Sequence, residues 1–406
     1  MLLLRVARAR SSSLTATNRT VLSCLIFLGA SLVRCDAWLV AGRGGSFSRR
    51  ISATTAVGGE NNKHGSPAFR ARPHARRKAA SIGMATSPLE AAGDHIQRVD
   101  TQETERALVS KYEAFVFDCD GVLWGGSHSI EGSLETVNAL RRAGKRTFFV
   151  TNNSSKSRRQ YCIKLDGFGV RGVGVEDIVT SGSAIAAYIK LTHPDVRVVY
   201  MVGEDGLQEE LEMVGLRVVK EQTRPPAGMT EDEFRENDHD PEVGAVVVGL
   251  DTSFGFRQMC VASSYIQKGA RFVGTNPDVA DRVGSLLMPG TGPILASIQT
   301  ASGVTPVIVG KPNPLLIRQL MDQYGLTASK TLMVGDRLDT DIMFGNAGGV
   351  SSALVLTGVS EISDVAGLQP GSDKTPTYLL EKLGALLPAA TEAAEAVAAG
   401  SVVAKM

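Results

Sequence analysis

The chain has little of what staples or tethers a protein. Its 406 residues include five cysteines, none at the CxxC spacing of a zinc or redox pair. Cys24 and Cys35 lie near the amino terminus, so the body keeps only Cys119, Cys162 and Cys260, and neither a disulfide framework nor a zinc site is expected. Acid is almost missing from the first 87 residues, where Asp36 and Glu60 face 14 Lys or Arg. The remainder therefore holds 29 basic and 40 acidic residues, a net of −11 that repels nucleic acid. The apolar stretch from Val21 to Val33 is too short to span a membrane, and neither a spanning run nor an internal repeat appears in the body.

What is present is concentrated at the ends of apolar runs. Residues 115–122 read FVFDCDGV, a strand-like run closing on two aspartates two positions apart and a glycine. Like charges this close at the carboxyl end of a buried strand repel unless a cation or a proton relieves them, so Asp118 and Asp120 imply a metal or acid/base chemistry. The plainer account is an Asp-Gly turn capped by its own side chains. Three further clusters weigh against it. The run 146–150 leads into Thr151, Asn152, Asn153, Ser154 and Ser155, where a hydroxyl, amides and a helix start can receive phosphate oxygens, although the same residues also serve as plain N-caps. The run 307–310 leads into Lys311 and Pro312, placing an ammonium at the same sheet edge. The run 331–334 leads into Gly335, Asp336, Arg337, Leu338, Asp339, Thr340 and Asp341. Mg²⁺ takes a few carboxylate oxygens, keeping water and substrate for its other ligands. Asp118 and Asp336 can provide carboxylates, and the Asp120 backbone carbonyl can provide a third protein ligand.

Strand and helix patterns alternate from residue 110 onward, the mark of a parallel sheet covered on both faces. Residues 108–191 and 305–387 form one Rossmann-like α/β core with strands expected at 113–118, 146–151, 178–180, 306–309, 331–335 and 352–356. Residues 192–304 interrupt it as a smaller α/β cap, in which 221–242, with Pro225, Pro226 and many acids, is expected as a surface loop. The Ala-rich tail 388–406 suits a frayed helix or a disordered end.

The succession DxDGV, strand-TNN, strand-GKP and strand-GDxxxxD resembles the haloacid dehalogenase superfamily of phosphatases. The cap's place between the second and third clusters is similar to that in the branch of 4-nitrophenylphosphatase, phosphoglycolate phosphatase and pyridoxal phosphatase. FDCDGVLW (117–124), VTNNSSKSR (150–158), GTNPD (274–278), PGTGPI (289–294), VGKPNP (309–314) and VGDRLDTDI (334–342) agree with it. The resemblance implies Asp118 as nucleophile and Asp120 as general acid/base, with Thr151, Asn152, Asn153 and Lys311 contacting phosphate. It further implies Mg²⁺ at Asp118, Asp120 and Asp336, with Asp341 in support, and a cap-mediated homodimer.

The first 87 residues resemble a signal peptide fused to a transit peptide, the bipartite leader of algae whose plastids carry extra membranes. Plastid import, with no membrane attachment of the mature chain, then favours 2-phosphoglycolate as the small phosphorylated substrate. Arg271, Asn276 and Arg282 are candidates for its remaining charge. Pyridoxal 5′-phosphate or a broader set of phosphomonoesters is the alternative, and a binding module that has lost its activity ranks below both because Asp118, Asp120, Lys311 and Asp336 are all present.

Overall fold

The run Ala114–Phe117 is buried at every residue and forms the middle of a parallel sheet. Successive side chains of a strand point to opposite faces, so Phe115 and Phe117 enter one apolar cluster while Ala114 and Val116 enter another. That double burial explains why the run is continuously apolar instead of alternating. The computed structural model describes residues 96–221, 228–236, 239–283 and 286–403. It also describes the backbone strands Arg19–Leu28 and Ser31–Val40, which pair antiparallel with each other. The rest of the expected leader lies outside the described residues.

The core sheet runs, in spatial order, Gln97–Arg98, Tyr378–Leu380, Ser351–Val355, Thr331–Gly335, Ala114–Phe117, Arg146–Thr151 and Ile178–Thr180, all parallel. A separate parallel sheet orders Arg217–Val219, Val198–Val202, Val243–Val248, Arg271–Gly274 and Val307–Ile308. The α/β architecture of core and inserted cap is thus as expected. Among the described residues no helix is long and apolar enough to cross a membrane.

Four details differ from the expectation, each for a local reason. The strand before Lys311 joins the cap sheet and not the core sheet, because Val307 and Ile308 pair with Val273 and Gly274. The core begins before residue 108, since Gln97 pairs with Tyr378 and the helix Gln102–Lys111 buries Leu108 and Val109. Within 221–242, Glu231–Glu236 forms a short helix whose start is capped by Thr230; residues 222–227 and 237–238 lie outside the described residues. The alanine-rich end forms the helix Leu387–Val403, with Ala389 and Ala390 buried in the same cluster as Val137 and Leu140 of the helix Ser133–Arg142 and Ala393 packed against it. Small side chains let the two helices approach closely, and Glu392 pairs with Arg106 at 2.6 Å.

Candidate active site

The chain leaves the strand Ala114–Phe117 at Asp118, whose N–H still donates to Val334 O at 2.9 Å before the backbone turns. Asp118 is therefore held by the sheet itself and is 7% exposed. Strand Arg146–Thr151 delivers Thr151 beside it, and strand Thr331–Gly335 delivers Asp336. A wide helical turn, Leu338–Ile342, then folds Asp341 back so that its Oδ2 accepts from the N–H groups of Asp336 and Arg337 at 3.2 and 3.1 Å.

Lys311 arrives from the cap-sheet edge and crosses to this cluster. Its Nζ lies 2.6 Å from Asp118 Oδ1, 2.7 Å from Asp341 Oδ1 and 3.1 Å from Val150 O, with 2% of the residue exposed. All three ammonium protons thus have acceptors. Burial alone would pull the ammonium down, but Asp118 and Asp341 overcome it and hold Lys311 above the ordinary lysine range.

One carboxylate oxygen from each of Asp118, Asp336 and Asp341 lies within 4.8 Å of the others. Burial, and then the neighbouring acids, raise Asp118 well above the usual carboxylate range despite Lys311. Asp336 is pushed up to about 7, by burial first and by Asp341 next. Its Oδ2 accepts from Val359 N at 2.7 Å, while Oδ1 is buried with no hydrogen-bond partner. An orphaned carboxylate oxygen facing two more acids suits a divalent cation, and oxygen-only donors suit Mg²⁺. The backbone makes room for this: a Cβ on Gly358 would collide with Asp336 Oδ2, and one on Gly121, at φ +84°, would stand 2.6 Å from Asp336 Cγ.

These shifts fix the sign of a pH effect. A raised folded pKa means that the metal-free protein takes up protons on folding between the ordinary carboxylate range, about 4, and about 7, so its stability falls as pH rises through that window. A divalent cation bound by these acids would replace those protons and restore stability above it. The expected gain in Tm on adding Mg²⁺ is larger near pH ~8 than near pH ~5; thermal melts with and without the ion check this, and an equal gain at both values counts against the site.

All eight residues expected from the sequence, Asp118, Asp120, Thr151, Asn152, Asn153, Lys311, Asp336 and Asp341, line one cavity of about 600 Å³. Their side chains are not equally free. Asn152 Nδ2 donates to both oxygens of Asp278, at 3.2 and 3.1 Å, and to Lys311 O at 3.2 Å, while its Oδ1 accepts from Lys311 N at 2.9 Å. Asn153 Oδ1 accepts from Ser155 N at 2.8 Å. The Asn152 amide and the Asn153 oxygen brace the loops, and the Thr151 hydroxyl, which accepts from Asn153 N at 3.1 Å, stands in the same cavity as Lys311 as a polar tip for phosphate. The carboxylate of Asp120 stands outside the cluster of three acids and accepts from Trp124 Nε1 at 2.8 Å. Its expected part in metal binding runs through the backbone carbonyl.

Sequence reading did not single out Asp278, Arg337, Leu250, Thr291 or Thr357, which also line the cavity. Asp278 and Arg337 lie inside the GTNPD and VGDRLDTDI motifs, which was the available signal. Of the charge candidates, Asn276 lines the cavity but commits its Nδ2 to Asn152 O at 2.6 Å. Arg271 is exposed at the far end of its strand and does not line it, and the side chain of Arg282 lies outside the described residues.

Comparison with known proteins agrees with this geometry. Residues 115–217 match the family model described as haloacid dehalogenase-like hydrolase, and residues 308–386 match one described as HAD-hydrolase-like. The chloroplastic phosphoglycolate phosphatase 1A of Arabidopsis thaliana is 38% identical over 296 residues, covering 71% of this chain and 80% of its own. A human glycerol-3-phosphate phosphatase is 35% identical over 316 residues, covering 74% and 98%. A crystal structure of a Mycobacterium tuberculosis glycerol phosphate phosphatase in complex with magnesium superposes with a TM-score of 0.59 at 32% identity, covering 69% of this chain and 77% of that one.

Proposed function

This chain belongs to the haloacid dehalogenase superfamily, in the phosphatase branch of the 4-nitrophenylphosphatases and phosphoglycolate phosphatases, and on that premise we propose that it hydrolyses 2-phosphoglycolate in a plastid through an aspartyl-phosphate. The observation that carries the chemistry is the buried ammonium of Lys311 at 2.6 Å from Asp118 Oδ1, in one cavity with the unpartnered oxygen of Asp336.

An oxygen of Asp118 attacks phosphorus as the ester bond breaks, and the leaving oxygen takes a proton from Asp120. Asp120, now a carboxylate, removes a proton from water as the water oxygen attacks phosphorus and frees Asp118. Lys311 offsets the charge that builds on Asp118 and on the phosphoryl oxygens, and the Thr151 hydroxyl with the Asn153 Nδ2 group receives those oxygens. Asp118, Asp336 and the Asp120 carbonyl would hold Mg²⁺, which would supply further neutralisation of phosphate and carboxylate. Asp341 aims Lys311 and stays out of the reaction.

The substrate reading is supported by the basic leader and by the relative named chloroplastic phosphoglycolate phosphatase. Arg337 lines the cavity with its guanidinium paired to Asp339 at 3.2 Å, and exchanging that partner for the glycolate carboxylate would give the substrate its cation. A second reading, a phosphorylated three-carbon alcohol, is favoured by the human glycerol-3-phosphate phosphatase relative. A panel of 2-phosphoglycolate, glycerol 3-phosphate, pyridoxal 5′-phosphate and 4-nitrophenyl phosphate with Mg²⁺ decides between them. The expected order puts 2-phosphoglycolate first in kcat/KM, and a first place for any other member removes the specific assignment.

A further inference from the structure

The carboxyl group assigned to proton transfer needs a direction as well as a position. Asp120 is exposed at the cavity wall, whereas its partner Trp124 is fully buried. The indole N–H reaches out of the core to Asp120 Oδ1 at 2.8 Å. The turn between them is closed twice over, by Gly121 N to Trp124 O at 2.8 Å and by Leu123 N to Cys119 O at 2.9 Å. Behind the ring, Phe168 and Tyr161 stack with centroids 5.4 and 6.3 Å away, tilted by 21° and 23°. Lys164 Nζ sits 3.8 Å from the ring centroid. A large side chain held in this way has no freedom to follow Asp120, so Asp120 must conform to it.

An indole N–H can only donate. The oxygen it occupies is therefore an acceptor in both protonation states, and the transferable proton of a protonated Asp120 is confined to Oδ2. A cation over the indole draws electron density from the ring and strengthens the N–H as a donor. We propose that Trp124, backed by Lys164, is a positioning residue that fixes which oxygen of Asp120 carries the proton to the leaving group. The inference rests on the assignment of Asp120 made above and adds a residue whose side chain touches neither substrate nor phosphate.

In the step that releases the alcohol, a positioned acid matters only when the departing oxygen needs a proton, whereas the later attack of water is common to both esters. Nitrophenolate leaves without one, whereas an alkoxide does not, so the two ester classes separate this role from general damage to the fold. The test compares wild type, Trp124→Phe and Lys164→Met in the full-length chain with Mg²⁺, on 4-nitrophenyl phosphate and on glycerol 3-phosphate. For Trp124→Phe, the single-turnover rate of alcohol release from the glycerol ester is expected to fall about tenfold or more, with nitrophenol release changed less than about threefold. Lys164→Met is expected to show the same selectivity at a smaller size, about threefold on the glycerol ester.

Equal losses on the two esters, or no loss on either, overturn the proposal. Should Trp124→Phe fail to fold, Lys164→Met decides on the same criterion, because Lys164 is only half-buried and its removal leaves the aromatic stack in place. A wild type that cleaves neither ester refutes the phosphatase reading itself, a result distinct from an active enzyme that ignores both substitutions.

Discussion

Asp118→Asn is expected to lower kcat on 4-nitrophenyl phosphate by roughly 10³-fold or more, on the order seen when a covalent nucleophile is removed, while the metal-free variant melts no lower than the wild type. Both halves follow from the same geometry. In the proposed mechanism Asp118 has the oxygen that bonds to phosphorus, and a neutral amide cannot replace it. Yet Asp118 is also one of three buried acids whose charges oppose one another, and burial holds its pKa above the ordinary range. Its ionised form therefore costs stability at neutral pH, and neutralising it relieves that cost. The substituted amide still offers an oxygen to Lys311, which keeps Asp341 and Val150 O as its other acceptors. Steady-state assay and a thermal melt check the two halves together; a folded variant retaining more than ~1% of activity would point to a different nucleophile.

Lys311→Met is expected to do the reverse, costing about 3–5 kcal/mol of stability as well as activity, the penalty typical of breaking a buried ion pair from one side. The ammonium is the charge that makes burial of Asp118 and Asp341 tolerable, and methionine leaves both uncompensated beside Asp336. The sign of the pH dependence follows. Without the ammonium the folded-state pKa values of these acids rise further, so the variant loses stability as pH rises and recovers part of it in acid. Denaturant unfolding across the pH range checks this, with Lys311→Met/Asp341→Asn expected to regain part of the loss. A single variant as stable as the wild type at neutral pH would contradict the charge balance described here.

The chemistry was legible in the sequence because it sits at strand ends, where apolar runs and polar clusters alternate sharply. Each of the four runs before Asp118, Thr151, Lys311 and Asp336 was readable as a strand, and the residues after them share one cavity. Sheet membership was not legible for one of them. Val307, Ile308 and Val309 suit either sheet equally, and only the parallel pairing with Val273 and Gly274 decides.

The alanine-rich end was readable only as an undecided segment because alanine gives no strong amphipathic stripe. Its helix is recognised from the partner surface that buries Ala389 and Ala390. Residue type suggested Asn152 and Asn153 as phosphate contacts, and hydrogen-bond geometry commits the whole Asn152 side chain, but only the oxygen of Asn153, to neighbouring loops. Trp124 belongs to the first motif yet does not stand out in it, because nothing in FDCDGVLW shows that an indole four residues on turns back to a carboxylate.

The edge strand Val307–Ile308 carries a lesson for anyone who would graft or excise modules of this enzyme. A cut at residue 305, where sequence reading divides cap from core, would strip the smaller sheet of its last member and detach the segment that delivers the Lys311 ammonium to Asp118. The workable seam lies beyond Lys311, so exchanging caps between relatives would replace that lysine's backbone with the donor's own and put the charge balance of the nucleophile at stake in every chimera.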